Sequence, residues 1–129
     1  MTSKVELVSV VIPTLNEAGT IRQAIDTINN YVTYPKEIIV VDGNSTDGTL
    51  EIVKDTNARL IIESRRGYGL ALRTGMKNAK GDVVIMVDAD GTYEFKHIDR
   101  LVARLLEKDA DMVLATRMYD PNKAMGFLN

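Results

Sequence analysis

The sequence predicts an α/β fold, a three-layer sandwich whose mainly parallel sheet lies between helices. Three observations carry that prediction. Short β-branched runs alternate with stretches of helical period from Leu7 to Thr116. Those runs lack polar alternation, as strands covered on both faces do. Polar residues gather directly after the runs, on the rim where an open parallel sheet binds its ligands.

The elements follow in order. "LVSVVI" (7–12) is a strand that Pro13 stops. Ile21, Ala24, Ile25 and Ile28 recur at helical spacing within a helix over 18–31. "EIIVV" (37–41) is the second strand, ended by "DGNSTDG", and a short helix over 49–55 takes Thr46 or Asp47 as its N-cap. "RLIIE" (59–63) is the third strand. After the loop "SRRGYG" a helix runs over 70–79 and is broken by "KGD". "VVIMV" (83–87) is the fourth strand. A helix over 95–108 puts Ile98, Leu101, Val102, Leu105 and Leu106 on one face, and "DMVLAT" (111–116) is the fifth strand. Met86 and Met112 read as core, and His97 as an exposed helix residue.

The chain has 129 residues, 45% hydrophobic and 26% charged. That suits one domain over 1–129, large enough to bury a core without cross-links. There are no cysteines, which removes disulfides, thiolate nucleophiles and cysteine-based zinc sites together. A net charge of -2 and a pI near 5.4 leave no basic footprint for a nucleic-acid partner. No apolar run approaches the roughly 20 residues that span a bilayer, and "MTSKVELVSVV" lacks a signal-peptide pattern. The expectation is a soluble, cytoplasmic chain.

The strand ends hold the chemistry. The first is followed by Pro13, Thr14, Asn16 and Glu17, the second by Asp42, Asn44, Ser45 and Asp47, the fourth by Asp88 and Asp90, and the fifth by Arg117. Two aspartates in an Asp-x-Asp turn can converge on a hard cation, Mg²⁺ or Mn²⁺, that bridges to phosphate oxygens. Without a cation such close carboxylates repel. The alternative is that Asp88 and Asp90 are loop and cap residues ahead of the helix at Phe95; their place after a buried strand favours the metal. Ser45, Thr46, Asp47 and Gly48 read as turn and cap residues, whereas Asp42 sits directly at a strand end and can reach a ligand's base or sugar. "RRGYGLALRTG" has Gly67 and Gly69 but Leu72 where the third glycine of a dinucleotide fingerprint would stand, and no Gly-Lys-Ser/Thr P-loop occurs.

In this order and context, "VSVVIPTLNEAGTI", "IVVDGNSTDGT", "RGYGLALRTGMKNAKGDVVIMVDADGTY" and "ATR" resemble the family 2 inverting glycosyltransferases, and among them the dolichyl-phosphate mannose and glucose synthases. The resemblance covers nearly the whole chain. It implies a GT-A, Rossmann-like fold that binds a nucleoside diphosphate sugar, a GDP- or UDP-hexose. By the same resemblance Pro13, Leu15 and Glu17 match the segment that contacts base and ribose, with Leu15 where the family has Tyr or Phe. Asp42 matches the first acidic residue of the second motif, whose second acidic position is Gly43. Asp88 lies near the ribose or metal waters, Asp90 ligates the metal, and Thr92 takes the place of a further ligand. Arg117 matches an arginine that faces the acceptor phosphate in polyprenyl-phosphate-dependent members.

The expected reaction is metal-dependent transfer of a hexose to a polyprenyl (dolichyl) phosphate at a membrane surface, with Asp90 and Arg117 as catalytic residues. The metal neutralises the leaving diphosphate, and an acceptor phosphate is already an anionic nucleophile at neutral pH. The family's domain continues past the point where this sequence stops, so the chain is expected to be its truncated, nucleotide-sugar-binding part, peripheral at the cytoplasmic face of a membrane. Open sheet edges would favour self-association. Two other readings compete: a nucleotide-sugar-binding module without catalysis, and a nucleotidyltransferase, against which stands the lack of a glycine-rich, lysine-bearing loop after the first strand.

Overall fold

The computed structural model describes residues 5–89 and 95–108. Its elements alternate as expected: β1 (Val8–Thr14), α1 (Ile21–Tyr31), β2 (Lys36–Asp42), α2 (Thr49–Lys54), β3 (Arg59–Ile62), α3 (Tyr68–Asn78), β4 (Val83–Met86), a 3-10 turn (Phe95–His97) and α4 (Ile98–Glu107). The four strands form one sheet in the order β3-β2-β1-β4, with every pair parallel. The expected fifth strand, 111–116, lies outside the described residues.

The missing polar alternation has a direct cause. Val8, Val10 and Ile12 of β1, with Ile38 and Val40 of β2, join Ile21, Ile25 and Ile28 of α1, Val53 of α2 and Val102 of α4 in one core. The intervening Val11, Ile39 and Val41 form a second core with Ala71 and Leu72 of α3. Both faces of the strands are therefore covered, and successive residues are apolar whichever way they point.

Several boundaries depart from the sequence reading: α1 begins at Ile21 rather than 18, α4 at Ile98 after the 3-10 turn, and two further departures have a local cause. β1 does not stop at Pro13 but runs through it to Thr14. The carbonyl of Thr14 accepts from Gly43 on the β2 side, and that of Val11 accepts from Val87 on the β4 side. Pro13 shares the side of Val11, past the last β1–β4 pair, Val11 with Met86. Its missing N–H is lost where no ladder partner exists. α3 begins at Tyr68, two residues before the expected start. Gly67 precedes it at φ +133°, a conformation that residues with a Cβ rarely adopt.

The α2 N-cap is Gly48, at φ +100°, not the expected Thr46 or Asp47. Asp47, one position earlier, accepts hydrogen bonds from the Thr49 amide and hydroxyl. The Thr49 hydroxyl, with the amides of Ala18 and Thr49, holds the Asp47 carboxyl below its ordinary range.

Candidate functional site

The strand order creates the site. The chain steps outward from β1 to β2 to β3 by way of α1 and α2, then returns through α3 to the other side of β1 as β4. β1 and β4 therefore flank the point where the winding direction reverses, and their carboxyl ends diverge there. A cleft of about 380 Å³ opens at this place. Pro13, Leu15, Glu17 and Gly43 line one part of it, Glu63 to Tyr68 another, and Asp88 with Ala89 a third.

Residue parity selects which strand-end side chains reach the cleft. Val11, Pro13 and Leu15 alternate with the residues of the larger core, as do Val41 and Gly43, and Val84, Met86 and Asp88. All lie on the α3 side of the sheet. Leu15 is 49% exposed, and a Cβ at Gly43 would stand 3.4 Å from Leu15 Cδ1. A side chain at 43 would therefore project beside Leu15, and glycine leaves that space open.

Asp42 has the opposite parity, following Ile38 and Val40 into the larger core, and its accessible surface is nil. Its Oδ1 accepts from the hydroxyls of Thr14 (2.6 Å) and Ser45 (2.7 Å), and its Oδ2 from the Ser45 amide (2.6 Å). The sequence reading puts Asp42 at a ligand's base or sugar; here it is buried beneath the loops and absent from the cleft lining. It anchors the two loops instead. The Asn16 amide donates to Ser45 Oγ and the Thr46 amide to Asn16 Oδ1, while Glu17 and Ala18 amides donate to Thr49 Oγ1 and Asp47 Oδ2. Asn16 and Asn44 adopt φ +55° and +73°, the left-handed region that asparagine tolerates best after glycine. The loops after β1 and β2 thus form one cross-braced unit under Leu15 and Glu17.

The loop after β3 supplies the residues that sequence reading passed over. Glu63 accepts two guanidinium bonds from Arg65 (2.8 and 3.0 Å) and one from the Thr74 hydroxyl of α3 (2.9 Å). The Arg65 side chain first, then the Thr74 hydroxyl, holds the Glu63 carboxyl down at about 2, against an ordinary 4.5. A carboxyl with a depressed value stabilises the fold fully above its unfolded pKa and loses that contribution as pH falls. Glu63→Gln should therefore melt below wild type at pH 7, and the gap should shrink as pH falls from 4.5 toward 2. Paired thermal melts across that window check it; a gap independent of pH would contradict the assignment. Arg66 lines the cleft and is exposed, and the Tyr68 hydroxyl donates to Asp88 Oδ1. The signal for this loop was available in the sequence: two arginines and a tyrosine directly after a strand, on the ligand rim.

Pro13, Leu15, Glu17 and Asp88 are thus brought together, and Asp42 is set apart. Asp90, Thr92 and Arg117 lie outside the described residues. Among the described residues no group of three or more His, Cys, Asp or Glu side chains is arranged to hold a metal. Asp88 is the described part of the expected metal set. A hard cation that keeps waters and takes phosphate oxygens needs only one or two protein carboxylates, so an Asp88 carboxylate on the cleft wall fits that chemistry.

Comparison with known proteins bears on the same residues. The family model described as "Glycosyl transferase family 2" matches residues 9–125. The low-salt glycan biosynthesis hexosyltransferase of Haloferax volcanii is 37% identical over 113 residues, 85% of this chain and 27% of that protein. A mannosyltransferase from Pyrobaculum calidifontis, solved with GDP-Man and Mn²⁺, superposes with a TM-score of 0.70 at 34% identity, over 81% of this chain and 33% of that one. Glucosyl-3-phosphoglycerate synthase of Mycobacterium tuberculosis, solved with Mn²⁺, UDP and glucosyl-3-phosphoglycerate, gives a TM-score of 0.69 at 33% identity, over 78% of this chain and 40% of that one. The chain spans between about a quarter and two-fifths of the length of these three proteins.

Proposed function

The chain belongs to glycosyl transferase family 2, and from that premise we propose that it binds a nucleoside diphosphate hexose with Mg²⁺ or Mn²⁺ in the cleft between β1 and β4, as the donor-binding domain of a hexosyltransferase. Its GT-A fold is the one expected from the sequence. The observation that carries the reading is Asp88 at the switch-point crevice, sharing one cleft with Arg66 and the first turn of α3. Exposed amides and the positive end of a helix favour an anion, and Arg66 adds a cation for a diphosphate. Pro13, Leu15 and Glu17 form the wall on which base and ribose rest. Asp42 acts one step back, by holding that wall.

The acceptor we propose is a polyprenyl phosphate, faced by Arg117. An acceptor phosphate oxygen attacks the anomeric carbon as the bond to the diphosphate breaks, and the nucleoside diphosphate leaves. Asp88, with Asp90 and Thr92 as the family resemblance assigns them, would hold the cation, which would supply Lewis-acid neutralisation of the leaving diphosphate. Such a nucleophile needs no strong base from the protein, only cationic groups that hold two anions together. For such an acceptor we place the chain peripherally, at the cytoplasmic membrane surface; among the described residues no helix is long and apolar enough to cross a membrane. β3 and β4 are the outer strands among the described residues, and self-association is proposed through such an edge. The second reading is nucleotide-sugar binding without transfer. A nucleotidyltransferase is set aside by the family match.

The test is a thermal shift with GDP and UDP, each with Mn²⁺ or with chelator. A ligand at 100 times its Kd adds about 2.7 kcal/mol, roughly a 5 to 15 °C rise for a domain of this size. We expect a metal-dependent rise with one of the two, with affinity weakened at least several-fold but still measurable in Asp88→Asn. No rise with either nucleotide from folded protein would refute the reading, and sugar transfer by the purified chain would refute the binding-only alternative.

A further inference from the structure

Tyr68 is 58% exposed, yet its hydroxyl has a protein partner. It donates to Oδ1 of Asp88, twenty residues further along the chain. Two features put it there. Gly67, at φ +133°, turns the chain so that Tyr68 opens α3. α3 in turn lies tight on β1, because at Gly75 a Cβ would stand only 2.2 Å from Val11 Cγ1. The first turn of α3 is thereby held at the carboxyl end of β4, on the side of the sheet that Asp88 faces. A hydrogen bond this exposed adds little to folding. It does occupy one of the two Asp88 oxygens.

We propose that Tyr68 is a positioning residue for Asp88: its hydroxyl holds Oδ1 so that Oδ2 is presented to a cation bound with the nucleotide diphosphate. This rests on the donor-site reading above. A carboxylate free to rotate must lose that freedom when it meets the cation, and one already oriented does not. Tyr68 touches neither the sugar nor the leaving group in this role. It acts through Asp88, and it couples the loop after β3 to the strand-end aspartate.

The experiment measures GDP and UDP binding to the full chain by calorimetry, with Mn²⁺ and with chelator, for wild type, Tyr68→Phe, Asp88→Asn and the double variant. Phenylalanine keeps the ring and removes only the hydroxyl, so the ligand-free melting temperature should stay within about 2 °C of wild type. The expected result is about a 10-fold loss of nucleotide affinity with Mn²⁺, and a change under about 2-fold with chelator. In the Asp88→Asn background Tyr68→Phe should have no further effect. Equal weakening with and without metal would assign Tyr68 to the nucleotide itself and overturn the proposal. So would unchanged affinity, or effects that simply add to those of Asp88→Asn. If wild type binds neither nucleotide with Mn²⁺, the donor-site reading fails and this inference with it; wild-type binding with an unaffected Tyr68→Phe sinks the inference alone.

Discussion

Asp42→Ala should destabilise the protein by about 4 kcal/mol, because it strands buried donors rather than removing a surface charge. Thr14 and Ser45 are 6% and 8% exposed, and three of their donors end on the Asp42 carboxylate. Water reaches this place poorly, so each donor left without a partner costs about 1 to 3 kcal/mol. The melting temperature should fall by roughly 15 °C. Asp42→Asn should fall between, since its amide oxygen can still accept from the two hydroxyls while its NH₂ meets the Ser45 amide head-on. The loops braced through Ser45 carry Leu15 and Glu17, so nucleotide affinity should drop in step with stability. Circular dichroism melts beside nucleotide titrations decide the matter. Lost binding with an unchanged melting temperature would make Asp42 a ligand contact, as its place in the sequence suggests.

Gly75→Ala should cost about 3 kcal/mol, although alanine is the better helix former by about 1 kcal/mol. Gly75 is the point where α3 rests on the sheet. An added Cβ would lie 2.2 Å from Cγ1 of Val11 and 3.2 Å from Cγ2 of Val41. Neither is the far end of a flexible chain; both side chains are β-branched, short and fully buried. Turning Val11 about χ1 would still leave tight contacts, since its Cγ2 and Cγ2 of Val41 already stand at 3.2 Å. α3 must lift from β1, opening voids around Ala71 and Leu72 and moving Tyr68 away from Asp88. Unfolding in urea should show a lower midpoint, by an amount that exceeds any helix-propensity gain. A Gly75→Ala variant as stable as wild type would mean that α3 can slide on the sheet, and the rigid placement of Tyr68 would go with it.

Much of this architecture was legible before any coordinates. Runs such as "VVI" (10–12) and "IIVV" (38–41) are apolar at every position, which only a strand covered on both faces tolerates in water, and the intervening helical periods supply the covers. Pro13, Glu17 and Asp88 stood out because the ends of parallel strands face one crevice, Leu15 came only from the family resemblance, and all four line the cleft. Asp42 shows where that rule gives out. A polar residue after a strand looks alike whether it faces the ligand or the loops, and parity with Ile38 and Val40 is what tells the two apart. The start of α3 was misplaced because Gly67 and Gly69 both read as loop, while only Gly67 has a positive φ.

The sequence by itself determined the order of strands and helices, the double covering of the sheet, the rim that carries the polar residues and the family resemblance. Each of these follows from local periodicity or from residues close in the chain. Only the tertiary structure decided that Asp42 is an anchor, that the loops after β1 and β2 form one braced unit, and that Tyr68 reaches Asp88. Those depend on which helix lies on which face of the sheet and how closely. That is a property of packing between segments 20 to 30 residues apart, and a local pattern such as the parity of Asp42 gains meaning only once the covering helices are placed.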